Sequence, residues 1–154
     1  LVVFPASPDK ALKNHGLFEA ALDALRPRVG RRVRGIPLMG LRHEEVPLLL
    51  SAADAVLVTS RYEGAGNVAK EAVACGTPVV SVDVGDIPEV VRDLPGCAVA
   101  PADAEALAGA LGRALEPRDP WSGEEHLRAL GADAGSVARR VLAVYEDVVR
   151  GRGS

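Results

Sequence analysis

The sequence predicts an α/β fold: a three-layer α/β/α sandwich whose mainly parallel sheet is covered by helices on both faces. Short apolar runs alternate with segments of helical periodicity along the first 116 residues. The apolar runs are nearly continuous, which is typical of strands that are buried on both faces. Alternation of strands with helices favours parallel pairing through crossover connections.

Five elements are predicted in the first part of the chain, each from its local pattern. The apolar run LVVF predicts a first strand, and apolar side chains at helical spacing predict a helix after it. The next strand is weaker because Gly35 and Pro37 interrupt it. In order, these elements are a strand over 1–4, a helix over 14–25, a strand over 33–39, a helix over 43–54 and a buried strand over 55–59.

The second part continues the alternation and then changes character. Gly76 is expected to end one helix, and Asp103 is expected to cap another. The elements are a helix over 67–75, a strand over 78–82, a short helix over 88–92, a strand over 97–100, a helix over 104–115 and a final helix over 136–149. We predict one domain over 1–154, with a core at 1–116, a linker and C-terminal helical segment at 117–150 and a frayed tail at 151–154. The polar, proline-rich run 116–126 is predicted to be a surface link.

Composition excludes several classes of protein. The net charge of −3 gives no global basic field, so a nucleic-acid partner is disfavoured. Cys75 and Cys97 are too few for a disulfide framework and fit a reducing cytoplasm. No apolar run is long enough to span a membrane, and no signal peptide or zinc-ligand spacing is visible. We therefore expect a cytoplasmic protein without a zinc site of Cys and His ligands.

Two glutamates bracket a small-residue turn and form the strongest candidate site. Glu63 precedes the turn and Glu71 lies one turn into the following helix. A helix N-terminus with small residues before it offers backbone N–H groups to a diphosphate. A carboxylate suits the vicinal hydroxyls of a ribose, so Glu71 is expected at the ribose and Glu63 at a hexose. The alternative is a capping glutamate and an exposed helix glutamate.

Cations are needed beside these carboxylates if a diphosphate is to bind. Lys10 and Lys13 follow the first strand, and in a parallel sheet that loop opens at the same edge as the glutamate turn. A lysine ammonium is a good point-charge partner for phosphate. The alternative for both is a solvated surface lysine.

A dinucleotide-binding motif overlaps the turn. Residues 64–69 match G-x-G-x-x-A, and Asp83 follows at roughly the position of a ribose-binding acid. The context argues against this interpretation, because residues 60–63 separate the motif from its strand. Two strand–helix units also precede it, so a dehydrogenase domain is kept only as a minor alternative.

The run over 53–89 resembles the donor-binding core of the group 1 (family 4) retaining glycosyltransferases of GT-B fold. Residues 13–25 and 136–149 are similar to helices of the same family. The resemblance implies a Rossmann-like C-terminal half that binds a nucleotide-diphosphate sugar, with UDP as the expected nucleotide, while an N-terminal half holds the acceptor. The chain opens on a strand without methionine, so we expect a fragment that lacks that half and transfers no sugar alone. Any peripheral membrane association is expected to reside in the missing half.

The resemblance also implies roles for individual residues. Glu71 would bind the ribose, and Glu63 and Lys13 would act at the transferred sugar and the diphosphate, with Lys10 standing where arginine is more usual. Backbone groups would contact the sugar and phosphates at Gly64, Ala65, Gly66, Asn67 and Val68, and the base would meet Leu41 and Arg42. Transfer would retain configuration without a metal or other cofactor. Asp86 departs from the family pattern, because glycine is common there. A non-catalytic nucleotide-binding module is the second functional alternative, because the chain alone lacks an acceptor pocket.

Overall fold

A computed structural model describes residues 1–30 and 32–151, so residues 152–154 of the expected frayed tail lie outside the described residues. Five parallel strands form one sheet in the order β2-β1-β3-β4-β5. They are β1 (Val2–Phe4), β2 (Gly35–Pro37), β3 (Ala55–Val58), β4 (Val79–Ser81) and β5 (Ala98–Val99). The predicted α/β class with a parallel sheet is confirmed.

Seven α-helices lie in the described part of the chain. They are α1 (His15–Leu25), α2 (Val46–Ala52), α3 (Asn67–Ala74), α4 (Ile87–Val90), α5 (Ala104–Ala114), α6 (Gly123–Ala129) and α7 (Ala134–Val149). Helix α1 packs against α5, whereas α3 packs against α2 and α6. Right-handed crossovers place these two groups on opposite faces of the sheet.

The core is built from small aliphatic side chains around the three central strands. Every residue of β1, β3 and β4 is buried. The interrupted strand β2 uses its glycine for packing: a Cβ on Gly35 would lie 2.7 Å from side-chain atoms of Phe18 and Leu22. Gly35 thus lets α1 approach the edge of the sheet.

The strand order creates a crevice at one edge of the sheet. From β1 the chain passes to β2 on one side and then crosses to β3 on the other side of β1. At such a switch point the connections leave in opposite directions, so the carboxyl ends of β1 and β3 are uncovered. Ligands of open α/β sheets bind in this kind of crevice.

Helix α6 differs from the expected surface link over 116–126, because it begins inside that run. Ser122 caps it by accepting the N–H of Glu125 at 3.2 Å. A Cβ on Gly123 would lie 1.6 Å from the carbonyl oxygen of Val73, so the backbones of α6 and α3 are in direct contact. Leu127 is also buried. Only residues 116–122 therefore remain a link.

Helix α7 begins two residues before its predicted start. Asp133 caps it by accepting the N–H of Ser136 at 3.0 Å. None of its residues is buried. Its larger apolar side chains are between 41% and 86% exposed, and they are Val137, Val141, Leu142, Val144, Tyr145, Val148 and Val149. An amphipathic helix thus presents an open apolar surface.

Candidate functional site

A cavity of about 220 Å³ lies at the switch point. Pro5 lines it just after β1, and Val58 lines it at the end of β3. Its other lining residues are Lys13, Glu63, Ala65, Gly66, Asn67, Val68, Ala69 and Ile87. Six residues predicted from the sequence therefore meet at this cavity, although their roles there stay predictions.

Glu63 and Lys13 face each other in the cavity wall. Oε1 of Glu63 accepts hydrogen bonds from Nζ of Lys13 at 2.5 Å and from Oγ of Ser60 at 2.6 Å. The side chains of Lys13 and Glu63 are only 24% and 14% exposed, so solvent screens their attraction incompletely. The cation expected at the diphosphate and the carboxylate expected at the transferred sugar are thus paired with each other.

Thr59 fixes the segment that carries Lys13. Its buried hydroxyl donates to the carbonyl oxygens of Lys13 at 3.0 Å and Asn14 at 3.1 Å. Asn14 adopts a left-handed conformation with φ of 55°, which turns the chain into α1. The N–H of Arg61 adds a hydrogen bond to the carbonyl oxygen of Leu12 at 2.8 Å. Thr59 was not among the predicted site residues, although a threonine that closes an apolar strand is the signal for such an anchor.

Asp86 holds the beginning of α3. Its Oδ1 accepts the N–H of Gly66 at 2.8 Å, and its Oδ2 accepts Nζ of Lys70 at 2.5 Å. Burial opposes ionisation, but the hydrogen bonds from Lys70 and Gly66 and the charge of Lys70 outweigh it. The pKa of Asp86 therefore lies below its ordinary value. From the sequence, Asp86 was only a departure from the family pattern, because no local signal indicates its contact with Lys70.

The other predicted site residues do not line the cavity. Lys10 and Leu41 are exposed. Arg42 is exposed too, and it pairs with carboxylates of its own loop at 2.8 and 3.2 Å. Gly64 is exposed at the turn, and Glu71 is half-buried on α3. Helical spacing puts Glu71 one turn beyond Asn67, so a ligand that extends from the cavity along α3 would reach it.

The part of the chain that the structure describes has no metal-ligating cluster and no membrane-spanning helix. No three His, Cys, Asp or Glu side chains there are grouped so that they could hold a metal ion. No helix of that part has the length and apolarity needed to cross a bilayer. Cys75 and Cys97 are free, and burial raises the pKa of the Cys97 thiol.

The parallel sheet and the cavity at its switch point define a Rossmann-like α/β domain. Residues 14–117 match the family model described as "Glycosyl transferases group 1". The chain belongs to this family of glycosyltransferases, and the family resemblance drawn from the motifs is confirmed.

Relatives and solved structures agree with this assignment. The chain is 39% identical over 123 residues to the MMP alpha-(1->4)-mannosyltransferase of Mycolicibacterium hassiacum. This alignment covers 71% of this chain and 28% of the relative. It superposes on sucrose-phosphate synthase of Thermosynechococcus elongatus with a TM-score of 0.67 and 29% identity, over 98% of this chain and 39% of that one. The Anabaena HepE structure, in complex with UDP and glucose, matches with a TM-score of 0.60 and 22% identity, over 97% of this chain and 47% of that one. The chain thus spans less than half the length of each of these three proteins.

Proposed function

We propose that this chain binds the nucleotide-diphosphate sugar donor of a retaining glycosyl transfer, with UDP as the nucleotide. The observation that carries the proposal is the meeting of Lys13, Glu63 and the N-terminus of α3 at one cavity. A helix N-terminus and an ammonium group supply the positive potential that a diphosphate needs. Membership of a glycosyltransferase family and the UDP complex of HepE support this choice of ligand.

In this proposal the donor extends from the cavity over the neighbouring loops. The cavity has room for the phosphate groups, and the rest of the donor lies over the surrounding loops. Glu63 contacts the transferred sugar, and Glu71 receives the ribose hydroxyls. Lys10 approaches the diphosphate from its exposed loop, and Leu41 and Arg42 meet the base.

Catalysis in this proposal depends on stabilising the leaving diphosphate. Charge develops on the phosphate oxygens as the glycosidic bond breaks, and in this proposal Lys13 and the amides of α3 stabilise it. Configuration is retained, and no metal takes part.

The acceptor is proposed to bind a second domain. The open apolar side of α7 supports this view, because exposed apolar patches mark interaction surfaces. We assign α7 to the contact with that domain, and we expect negligible sugar transfer by this chain alone. A cytoplasmic location is proposed because the two free cysteines suit a reducing compartment.

The test is calorimetric titration of the folded chain with UDP, GDP and ADP in the presence of EDTA. We expect UDP to bind without metal. A chain that unfolds cooperatively on heating yet gives no heat with any nucleoside diphosphate would contradict the proposal. Titration with NADH, followed by its fluorescence, separates the dehydrogenase alternative, for which NADH and not UDP would bind.

Glu71→Ala tests the placement of the ribose. Its loss of two hydrogen bonds to hydroxyls should weaken UDP binding about tenfold. Glu105→Ala is the matched control, because Glu105 is an exposed glutamate on α5 that pairs with Arg28, and neither residue lines the cavity. A further assay adds a separately produced acceptor domain: transfer that appears only with both chains distinguishes an enzyme half from a non-catalytic nucleotide-binding module.

A further inference from the structure

One carboxylate connects the loop after β4 with two positions of α3. Asp86 accepts the backbone N–H of Gly66 through Oδ1 and the ammonium of Lys70 through Oδ2. Gly66 is the N-cap residue of α3, and Lys70 lies one turn along that helix. The first turn of α3 is therefore held at both ends by a residue from the neighbouring loop.

Gly66 is also confined by packing. A Cβ at this position would lie 2.4 Å from Cγ1 of Ile87, the residue that follows Asp86. Gly66 is buried, and its backbone rests against Ile87 while Asp86 binds its N–H. Two adjacent residues thus fix the position of the glycine turn.

The hydrogen bonds of this turn determine which amides remain for a ligand. The N–H of Gly66 is taken by Asp86, and the N–H of Asn67 donates to the carbonyl oxygen of Ala65 at 2.7 Å. No hydrogen bond within the described residues satisfies the N–H of Val68 or Ala69. Both of these residues line the cavity.

We infer that Asp86 is a positioning residue for the donor. Because its carboxylate accepts the N–H of Gly66, that N–H is not available to a ligand. The same bond fixes the turn so that the amides of Val68 and Ala69 bind the phosphate. The two hydrogen bonds of Asp86, to the N–H of Gly66 and to Lys70, form what we call the clamp on α3. The identity of the ligand rests on the function proposed above, whereas the clamp rests on geometry alone. Lys70 neutralises the carboxylate, which limits its repulsion of an entering anion.

Calorimetry of two substitutions with two ligands tests the inference. Asp86→Ala should weaken UDP binding about tenfold and leave uridine binding unchanged, because only the phosphate is misplaced. Asp86→Asn should stay within about threefold of the wild type for UDP, since its amide oxygen still accepts the Gly66 N–H. Glu89→Gln is the control, because it removes an exposed charge of the same region without touching the clamp.

A second measurement reads the clamp without any ligand. Amide hydrogen exchange of Gly66, followed by NMR, should accelerate about tenfold or more in Asp86→Ala and little in Asp86→Asn. The Ala106 amide, which donates to Asp103 at the start of α5, is the internal reference.

The possible outcomes separate the two proposals. Absence of binding by the wild type to every nucleoside diphosphate refutes the proposed function and with it the donor role of Asp86. Wild-type binding that Asp86→Ala leaves intact refutes the inference alone. Equal losses in Asp86→Asn and Asp86→Ala, or equal losses for uridine and UDP, would also overturn it.

Discussion

The ammonium nitrogen of Lys13 lies 2.5 Å from a carboxylate oxygen of Glu63, although 50 positions separate the two residues in the chain. The parallel sheet brings them together, because their loops follow neighbouring strands at the same edge. If the proposed diphosphate binds in this cavity, its phosphate must compete with Glu63 for the charge of Lys13.

Substitutions of this pair should therefore shift diphosphate affinity in opposite directions. Lys13→Met should weaken UDP binding about tenfold, because a point charge on the phosphate is lost. Glu63→Gln should strengthen it about threefold, because the competing carboxylate is removed. Calorimetry with UDP measures both, with Glu105→Gln as a distant control. Equal weakening by both substitutions would show that the pair is needed intact and does not compete with the phosphate.

The two glycines of the turn should respond differently to alanine. Gly66→Ala forces a Cβ to 2.4 Å from Ile87, which should cost about 1–3 kcal/mol of stability. Gly64→Ala meets no atom within 4 Å, so its melting temperature should stay near that of the wild type. In a domain of this size each kcal/mol shifts Tm by about 2–4 °C, which scanning calorimetry resolves. Equal Tm values for the two variants would contradict the packing described for Gly66.

A second pair of glycines tests the contact between α3 and α6. Gly123→Ala would bring a Cβ within 1.6 Å of the Val73 carbonyl oxygen, so we expect a loss of roughly 3 kcal/mol or more. Gly109 lies inside α5, and a Cβ there would make only an ordinary van der Waals contact of 3.9 Å with the Arg113 guanidinium. Gly109→Ala should therefore gain about 0.5–1 kcal/mol from helix propensity. Urea unfolding of both variants gives these values. A stable Gly123→Ala variant would mean that α6 does not contact α3 as closely as described.

Acid should weaken the clamp on α3. The folded-state pKa of Asp86 is lowered, so its contribution is complete above the ordinary aspartate pKa of about 3.9 and is lost as pH falls through the lower folded value. Asp86→Asn should therefore reduce the pH dependence of the unfolding free energy below about pH 4, by at most the slope that corresponds to one bound proton. Lys70→Met should reduce the slope as well, because Lys70 lowers the pKa of Asp86. Urea unfolding across this range measures the slope, and an identical slope in Asp86→Asn would disprove the effect.

The sequence predicted the strands and most helices because their signals are local. Apolar runs identified β1, β3 and β4, and Asp103 caps α5 as expected, accepting the N–H of Ala106 at 2.8 Å. Helix α6 was missed because its packing depends on Gly123 and a tertiary contact with Val73, which no periodicity reveals. The strand order was likewise not deduced, because it is set by packing between elements distant in the chain.

For the candidate site, the meeting of its loops could be predicted from the sequence, whereas the hydrogen bonds between its residues could not. The convergence of Lys13 with Glu63 followed from the rule that parallel strands end at one edge. Hydrogen-bond partners did not follow from it: Thr59 as the anchor of Lys13 and Asp86 as the clamp of Gly66 depend on atomic positions. The cavity is not lined by Lys10, Leu41, Arg42 or Glu71, so their contacts with a donor stay predictions.

The two edge strands of the sheet bear on how this protein resists aggregation. The edge strand β2 has three residues and ends on Pro37, which has no N–H to offer, and the opposite edge strand β5 has two residues. Short edges interrupted by proline are poor templates for strand addition, the usual first step of sheet-driven aggregation. Under mild destabilisation the edge strands are therefore protected from strand addition. Any aggregation of this chain should begin at exposed helical surfaces such as that of α7.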